Sequence, residues 1–304
     1  MRIAHLSDLH LLDLKGAIPF RLLNKRLTGY LNLRFHRRSV HKLSAAEATA
    51  RAIRELDVDH VVVTGDVSNL ALEAELLLVR AFLENSLGLP PEQVSLVPGN
   101  HDVYTSGSFR AQRFFQTLGH FATSDLPNIA SKGNAGQFPF VRLRGPVAII
   151  GLSTAVPRLP FVAAGRLGEP QRDALEHLLT HPEVRSRTPV FLQHHPWHNP
   201  ENLAKRLLEG LDDAPEQARL LRDLPRGLLL HGHLHRRVHR MLTTDRGHVD
   251  AVGATSASLL HDSDEKMAGF NLYDITDDGR IASITSHRFD PSGERFFEVP
   301  LPRS

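Results

Sequence analysis

The chain contains no cysteine, which excludes disulfides, zinc–thiolate sites and thiol catalysis and leaves only nitrogen and oxygen donors for any metal. It also lacks an apolar run long enough to span a bilayer, and its first residues, MRIAHLSDLH, have neither the charged nor the apolar region of a secretion signal. The expected location is the cytoplasm, in solution or attached peripherally to the inner face of a membrane. Acidic residues are missing from Leu14 to Ala46, a stretch that holds Lys15, Arg21, Lys25, Arg26, Arg34, Arg37, Arg38 and Lys42. The formal net charge of the whole chain is only +2, so the overall balance does not imply a nucleic-acid partner; the local cluster matters more.

A length of 304 residues with 41% hydrophobic side chains is enough for one large core. The expectation is a single domain over 1–304 carrying an inserted segment at 14–42. Apolar runs that end in small or polar residues recur at 2–8, 60–66, 94–100, 147–153, 189–195 and 227–233. Their Val, Ile and Leu content suits strands buried on both faces. Helical patterns fall between them: Ser44 and Glu47 read as a capping box, 72–88 stops at Gly88, and EPQRDALEHLLT carries Pro170 in its first turn. The alternation predicts layered α/β architecture. Beyond Gly232 the pieces RVHRML, HVDAVG, GFNLYDIT and RIASITSHRF read as the antiparallel edge of a second sheet, the last two joined by the turn DDGR.

Histidine is abundant, at 19 residues, and its groups sit at strand ends, where α/β sheets place their ligands. Asp8 and His10 follow the first strand, Asp66 and Asn69 the second, Asn100, His101 and Asp102 the third. His194 and His195 end VFLQHHP, and His233 and His235 end LLLHGHLH. Carboxylates, imidazoles and one amide oxygen are donors for Mn, Fe, Zn or Co, and a shared carboxylate can bridge two ions. His198, His231, His239, His248 and His261 stand outside these groups.

The stretches DLH (Asp8 to His10), GDVSN (Gly65 to Asn69), GNHD (Gly99 to Asp102), HHP (His194 to Pro196) and GHLH (Gly232 to His235) resemble, in order and in kind, the motifs of calcineurin-like metallophosphoesterases. The resemblance implies a four-layer α/β/β/α sandwich of two mixed sheets flanked by helices. It implies that Asp8, His10 and His235 hold one metal, that Asn100, His194 and His233 hold another, and that Asp66 bridges them. His101 would hydrogen-bond a phosphoryl oxygen or protonate the leaving group, and a metal-bridging hydroxide would attack phosphorus in line. The cofactor implied is a pair of divalent or trivalent ions, manganese first, with iron, zinc or cobalt as alternatives. The activity implied is hydrolysis of phosphodiester or pyrophosphate bonds. A non-catalytic scaffold such as the retromer subunit of this fold is the contrasting case, marked by lost ligands; none is lost here.

Two substrate readings follow. The five signatures are similar to those of class III cyclic nucleotide phosphodiesterases, which act on small soluble phosphodiesters. The other reading is a lipid-linked pyrophosphate at a membrane surface, as for the hydrolases of UDP-2,3-diacylglucosamine, whose usual form carries Arg where this chain has His101. The segment Pro19 to Arg38 discriminates: Phe20, Leu23, Leu27, Tyr30 and Leu31 recur at helical spacing among Arg21, Lys25 and Arg34, as in a basic amphipathic helix at an anionic surface. It can equally be a lid, with Arg21, Lys25 and Arg26 on substrate phosphate, or packed structure. Asn69 and His195 are further candidates for substrate contact. A nuclease ranks third, because only Phe20, Tyr30 and Phe35 accompany the basic residues.

Overall fold

The computed structural model describes residues 1–15, 40–129 and 137–302. Pro19 to Arg38, and with it Arg21, Lys25 and Arg26, lies outside the described residues.

Six strands form the first sheet. Strand β1 (Arg2–Leu6) runs parallel to β2 (His60–Val63), which runs parallel to β3 (Val94–Leu96). Helix α1 (Leu43–Arg54) leads into β2, and α2 (Glu73–Ala81) follows it. After β3 come α3 (Ser106–Arg110) and α4 (Arg113–Leu118), then β4 (Phe140–Arg144) and β5 (Val147–Gly151), an antiparallel pair that opens the second sheet. Helices α5 (Glu169–Thr180) and α6 (Pro182–Arg185) precede β6 (Thr188–Leu192), and α7 (Leu203–Glu209) and α8 (Ala214–Leu220) precede β7 (Arg226–His231). Strands β5, β6 and β7 are parallel neighbours.

The C-terminal strands divide between the sheets, which corrects the expectation of one antiparallel edge. β8 (Val238–Thr244) and β9 (Gly247–Gly253) extend the second sheet, with β9 parallel to β7. β10 (Gly269–Ile275), β11 (Ile281–Asp290) and β12 (Arg295–Val299) return to the first sheet, with β10 antiparallel to β1. The sheet orders are β12-β11-β10-β1-β2-β3 and β4-β5-β6-β7-β9-β8.

Alternation along the strands builds the layers. Ile3, Val62, Ile149, Val190, Leu192, Leu228, Leu230 and Tyr273 meet between the two sheets. Their neighbours Ala4, Leu6, Val61 and Val63 face α1, α2 and α4 through Ala50, Ile53, Leu76, Val79 and Phe114. On the outer side of the second sheet, Ala148, Ile150, Phe191 and Leu229 pack on Leu175, Leu178 and Val184 of α5 and α6. Side chains two apart share a face of a strand, so each continuous apolar run serves two interfaces. The result is a four-layer α/β/β/α sandwich.

One capping expectation is also corrected. Helix α1 begins before Ser44: Lys42 is its extended N-cap and makes no side-chain cap bond. Tertiary pairing sets that start, because the Lys42 amide donates to Ser258 O at 2.8 Å and His41 bridges to Leu259.

Candidate metal centre

The C-terminal ends of β1, β2, β3, β6 and β7 meet along the seam between the sheets. Beyond β1 and β2 the backbones stay zipped, with the amides of Asp8, His10 and Leu11 donating to Gly65 O, Asp66 O and Val67 O at 2.9 to 3.0 Å. From the second sheet, His194 Nδ1 donates to Thr64 O at 2.7 Å and the His233 amide donates to Asp8 Oδ2 at 3.2 Å. Seven side chains from five chain segments thereby face one another.

They form two adjoining groups. In one, His235 Nε2 lies 3.1 Å from Asp8 Oδ1 and 3.3 Å from His10 Nε2, and His10 Nε2 lies 3.9 Å from Asp66 Oδ2. In the other, His194 Nε2 lies 3.3 Å from the same Asp66 oxygen and 3.2 Å from Asn100 Oδ1. Asp66 is therefore shared. The His233 ring lies 5.2 Å from that of His194; its Nε2 donates to Glu209 O at 3.0 Å, so Nδ1 is the nitrogen with a lone pair.

Backbone strain concentrates here. Asp8, His10, Asp66, His233 and His235 all have φ between 45° and 68°. A left-handed non-glycine residue costs about 1–3 kcal/mol, and such residues gather where function holds them. Gly99 and Gly232 let the segments touch: a Cβ on Gly99 would lie 2.2 Å from Asp66 Oδ1, and one on Gly232 would lie 2.5 Å from Asp8 Oδ2.

The electrostatics fit cations. Burial pushes the Asp66 carboxyl up, but the imidazoles of His194, His101 and His10 outweigh it and hold the group well below the usual carboxylate range. Asp8 is likewise held low against its burial by His235 and His194. Burial works against a charged His194, yet Asp66 and Asp8 raise it to about 9, which shows how strongly the two carboxylates draw positive charge to this place. Burial and then His194 push His233 down to about 4, which keeps it a neutral donor. Asp8 Oδ1 is buried and faces His235 Nε2 at 3.1 Å. Buried carboxylates facing several imidazoles, two of which, His194 and His233, are oriented by backbone carbonyls, make a donor set that suits metal ions.

Around this set stand positioning groups. Asp102, fully enclosed, accepts from the amides of Gly99 and Ser68 at 2.8 and 2.9 Å and from Ser68 Oγ at 2.8 Å, clamping the Asp66 loop to the Asn100 loop. His101 donates its amide to Asp66 Oδ1 at 2.7 Å and its Nδ1 to Asn69 O at 2.8 Å, and its ring stacks on Tyr104. Asn69 and His195, expected as substrate contacts, have polar groups committed inside the protein. The Asn69 amide donates to His10 O and Leu11 O, and the two ring nitrogens of His195 meet Thr154 Oγ1 and Ala163 O. His231 is fully buried behind the centre.

One residue beside this donor set carries no motif in the sequence. His41 brings its ring to 4.6 Å from that of His10 and 5.7 Å from that of His235. Its pairing with Leu259, flanked by the Lys42–Ser258 and Leu260–Val40 backbone bonds, carries it there.

The family model of the calcineurin-like phosphoesterases matches residues 1–237. No curated protein sequence matches the chain. A purple acid phosphatase from yellow lupin (Lupinus luteus) seeds is similar in structure, with TM-score 0.60 at 12% identity over 98% of this chain. This chain spans about half, 52%, of the lupin enzyme. A dimetal phosphatase from Danio rerio gives TM-score 0.58 at 13% identity, covering 94% of this chain and 95% of its own. At such identities the likeness speaks for the fold, whereas the family model covers most of the chain, and the chain belongs to the calcineurin-like phosphoesterase family.

Proposed function

We propose that the protein is a dinuclear metal-dependent hydrolase of phosphodiester or pyrophosphate bonds. The observation that carries this reading is the sharing of Asp66 Oδ2 between His10 at 3.9 Å and His194 at 3.3 Å, with a complete donor set on either side. Asp8, His10 and His235 would hold one ion and Asn100, His194 and His233 the other, manganese being the expected metal. The bound cations supply Lewis-acid charge beside the phosphoryl oxygens and make water acidic enough to act as a nucleophile near neutral pH. His101 acts from the protein side. With Nδ1 donating to Asn69 O, its Nε2 carries the proton given to a phosphoryl or leaving oxygen, which requires the imidazolium form. Stacking on Tyr104 fixes the plane of that ring. The test is hydrolysis of bis(p-nitrophenyl) phosphate and p-nitrophenyl phosphate by manganese-loaded protein, with Asn100→Ala beside it. Failure on both substrates, with Asn100→Ala binding metal as well as wild type, overturns the reading.

Between a soluble cyclic nucleotide and a lipid-linked phosphate, the apolar rim supports the lipid. Leu159 and Phe161 are 76% and 84% exposed, and Leu203 and Leu207 of α7 are 59% and 61% exposed. The loop and the helix are joined by the Ala163 amide donating to Leu208 O. They border the metal centre, since Ala163 O meets His195 and Glu209 O meets His233. Large exposed apolar groups beside a reaction centre suit an acyl-bearing substrate at a peripheral, anionic membrane surface. Among the described residues no helix is long and apolar enough to cross a membrane. Burying one such side chain is worth about 1.5–3 kcal/mol, or tenfold and upward in partitioning. Phe161→Ser with Leu207→Ser should release the protein from anionic liposomes and raise KM for a micellar lipid pyrophosphate, with bis(p-nitrophenyl) phosphate hydrolysis unchanged. Unaltered liposome binding removes the lipid reading.

A further inference from the structure

The five motifs supply seven donors, and the structure brings an eighth to the same place. Val40 O accepts from the Leu260 amide and the Lys42 amide donates to Ser258 O, both at 2.8 Å. These bonds staple His41 to the segment after β9. One nitrogen each of His10, His41 and His235 lie within 4.8 Å of one another. Donors about 2.1 Å from a common ion are separated by roughly 3–4 Å, so the three imidazoles have the spread of a shared coordination sphere.

The surroundings of the ring point the same way. His41 Nδ1 lies 2.8 Å from Ser258 Oγ. Ser256 Oγ, next in this chain of hydroxyls, donates to Asp8 O at 2.6 Å. A ligating imidazole keeps its second N–H on an oriented acceptor, which fixes the tautomer and leaves the other nitrogen's lone pair for the ion. Ser258 can be that acceptor for His41, as Thr64 O is for His194 and Glu209 O for His233. The same hydroxyl chain ties the position of His41 to the backbone of Asp8, a donor of the same ion.

We propose that His41 is a further protein ligand of the cation held by Asp8, His10 and His235. The inference rests on the dinuclear reading and adds to it: this ion receives three imidazoles, and the end of the basic inserted segment is fastened to the metal. The two ions then differ in donor set, with three imidazoles and Asp8 on one side against two imidazoles and an amide oxygen on the other, Asp66 being common to both. Imidazole-rich coordination favours later first-row divalent ions over manganese, so the site completed by His41 should be the tighter for Zn²⁺ or Co²⁺.

The test uses the full-length protein as wild type, His41→Ala and Ser258→Ala, titrated calorimetrically with Mn²⁺ and with Co²⁺, and by visible absorption for Co²⁺. Wild type should bind two ions. His41→Ala should weaken one of them by about tenfold or more, leave the other unchanged, and alter the Co²⁺ spectrum; Ser258→Ala should weaken the same ion. Wild-type affinities and an unchanged Co²⁺ spectrum in His41→Ala overturn the proposal. A raised KM at full metal occupancy, with unchanged metal affinity, also overturns it and makes His41 a substrate contact. Absence of metal binding in the wild type itself would mark failure of the dinuclear reading rather than of the eighth ligand alone.

Discussion

Adding one methyl group at Gly99 tests whether the site works by close placement of its carboxylate. A Cβ there would sit 2.2 Å from Asp66 Oδ1 and 2.3 Å from the Asp66 amide nitrogen, where ordinary contact begins at 3.4 Å. Gly99 is not among the residues with positive φ, so alanine suits its own backbone and the whole effect falls on the neighbour. Asp66 cannot simply rotate away. Its amide is struck too, its φ is already 50°, and the same Oδ1 accepts from the His101 amide. The carboxylate must retreat by about 1 Å, and a misplacement of that size in a reaction centre costs about 100-fold. Gly99→Ala should therefore lower kcat/KM for bis(p-nitrophenyl) phosphate about 100-fold, equivalent to about 2.7 kcal/mol, and weaken Mn²⁺ binding. Overpacking costs about 1–3 kcal/mol of stability, so the variant remains folded by circular dichroism. Gly107→Ala, whose Cβ would meet Thr105 Oγ1 at 3.8 Å, is the harmless comparison. Activity within about threefold of wild type, well under 1 kcal/mol, with two ions bound would refute the argument.

Burial lowers both His5 and His60 to about 3, so both stay neutral in the fold at pH values where the unfolded chain takes up protons. Their stabilising effect is complete above about 6.5 and is lost as pH falls toward 3, about 5 kcal/mol for each across the window. His60→Gln should recover about 2–3 kcal/mol at pH 4.5 relative to pH 7 in urea unfolding; parallel pH dependence in variant and wild type would contradict this. Arg142 is buried and donates to Pro91 O, Val94 O, His120 O and Thr123 O at 2.7 to 3.3 Å. Arg142→Met strands these carbonyls and should cost about 3–5 kcal/mol, read as a shifted denaturation midpoint with metal stoichiometry intact. His101→Gln should lower kcat by about 10²–10⁴-fold while both ions still bind; loss of metal instead would make His101 a positioning residue for Asp66.

Much of the site is legible in the chain because it is local. A parallel strand buried on both faces must be apolar throughout, and its C-terminal end must turn sharply. Asp8 to His10, Asp66, Asn100, His194 and Gly232 to His235 therefore announce themselves as polar groups ending apolar runs. Strand β4 was missed because it reads FVRLR: Arg142 looks like a surface residue, and only its carbonyl partners explain its burial. Strand β12, RFFEV, is short and half-exposed, so its pattern is weak.

What lies beyond the chain's own pattern is the choice of partner. Alternation in GFNLYDI identifies a strand but not which sheet edge it joins, and the free edge of β1 took β10 from the far end of the chain. Ser44 looks like a cap, yet pairing of His41 with Leu259 starts the helix earlier. The apolar rim unites a loop and a short helix some 40 residues apart through the Ala163–Leu208 bond and the adjoining Gly165–Gly210 bond. The sequence by itself determined the strands that end at the site and the motifs that hold the seven candidate donors, because backbone geometry and side-chain period are short-range. Only the tertiary structure decided that His41 stands with His10 and His235 and that apolar side chains border the centre, because long-range hydrogen bonds and packing select among partners that local sequence leaves equivalent.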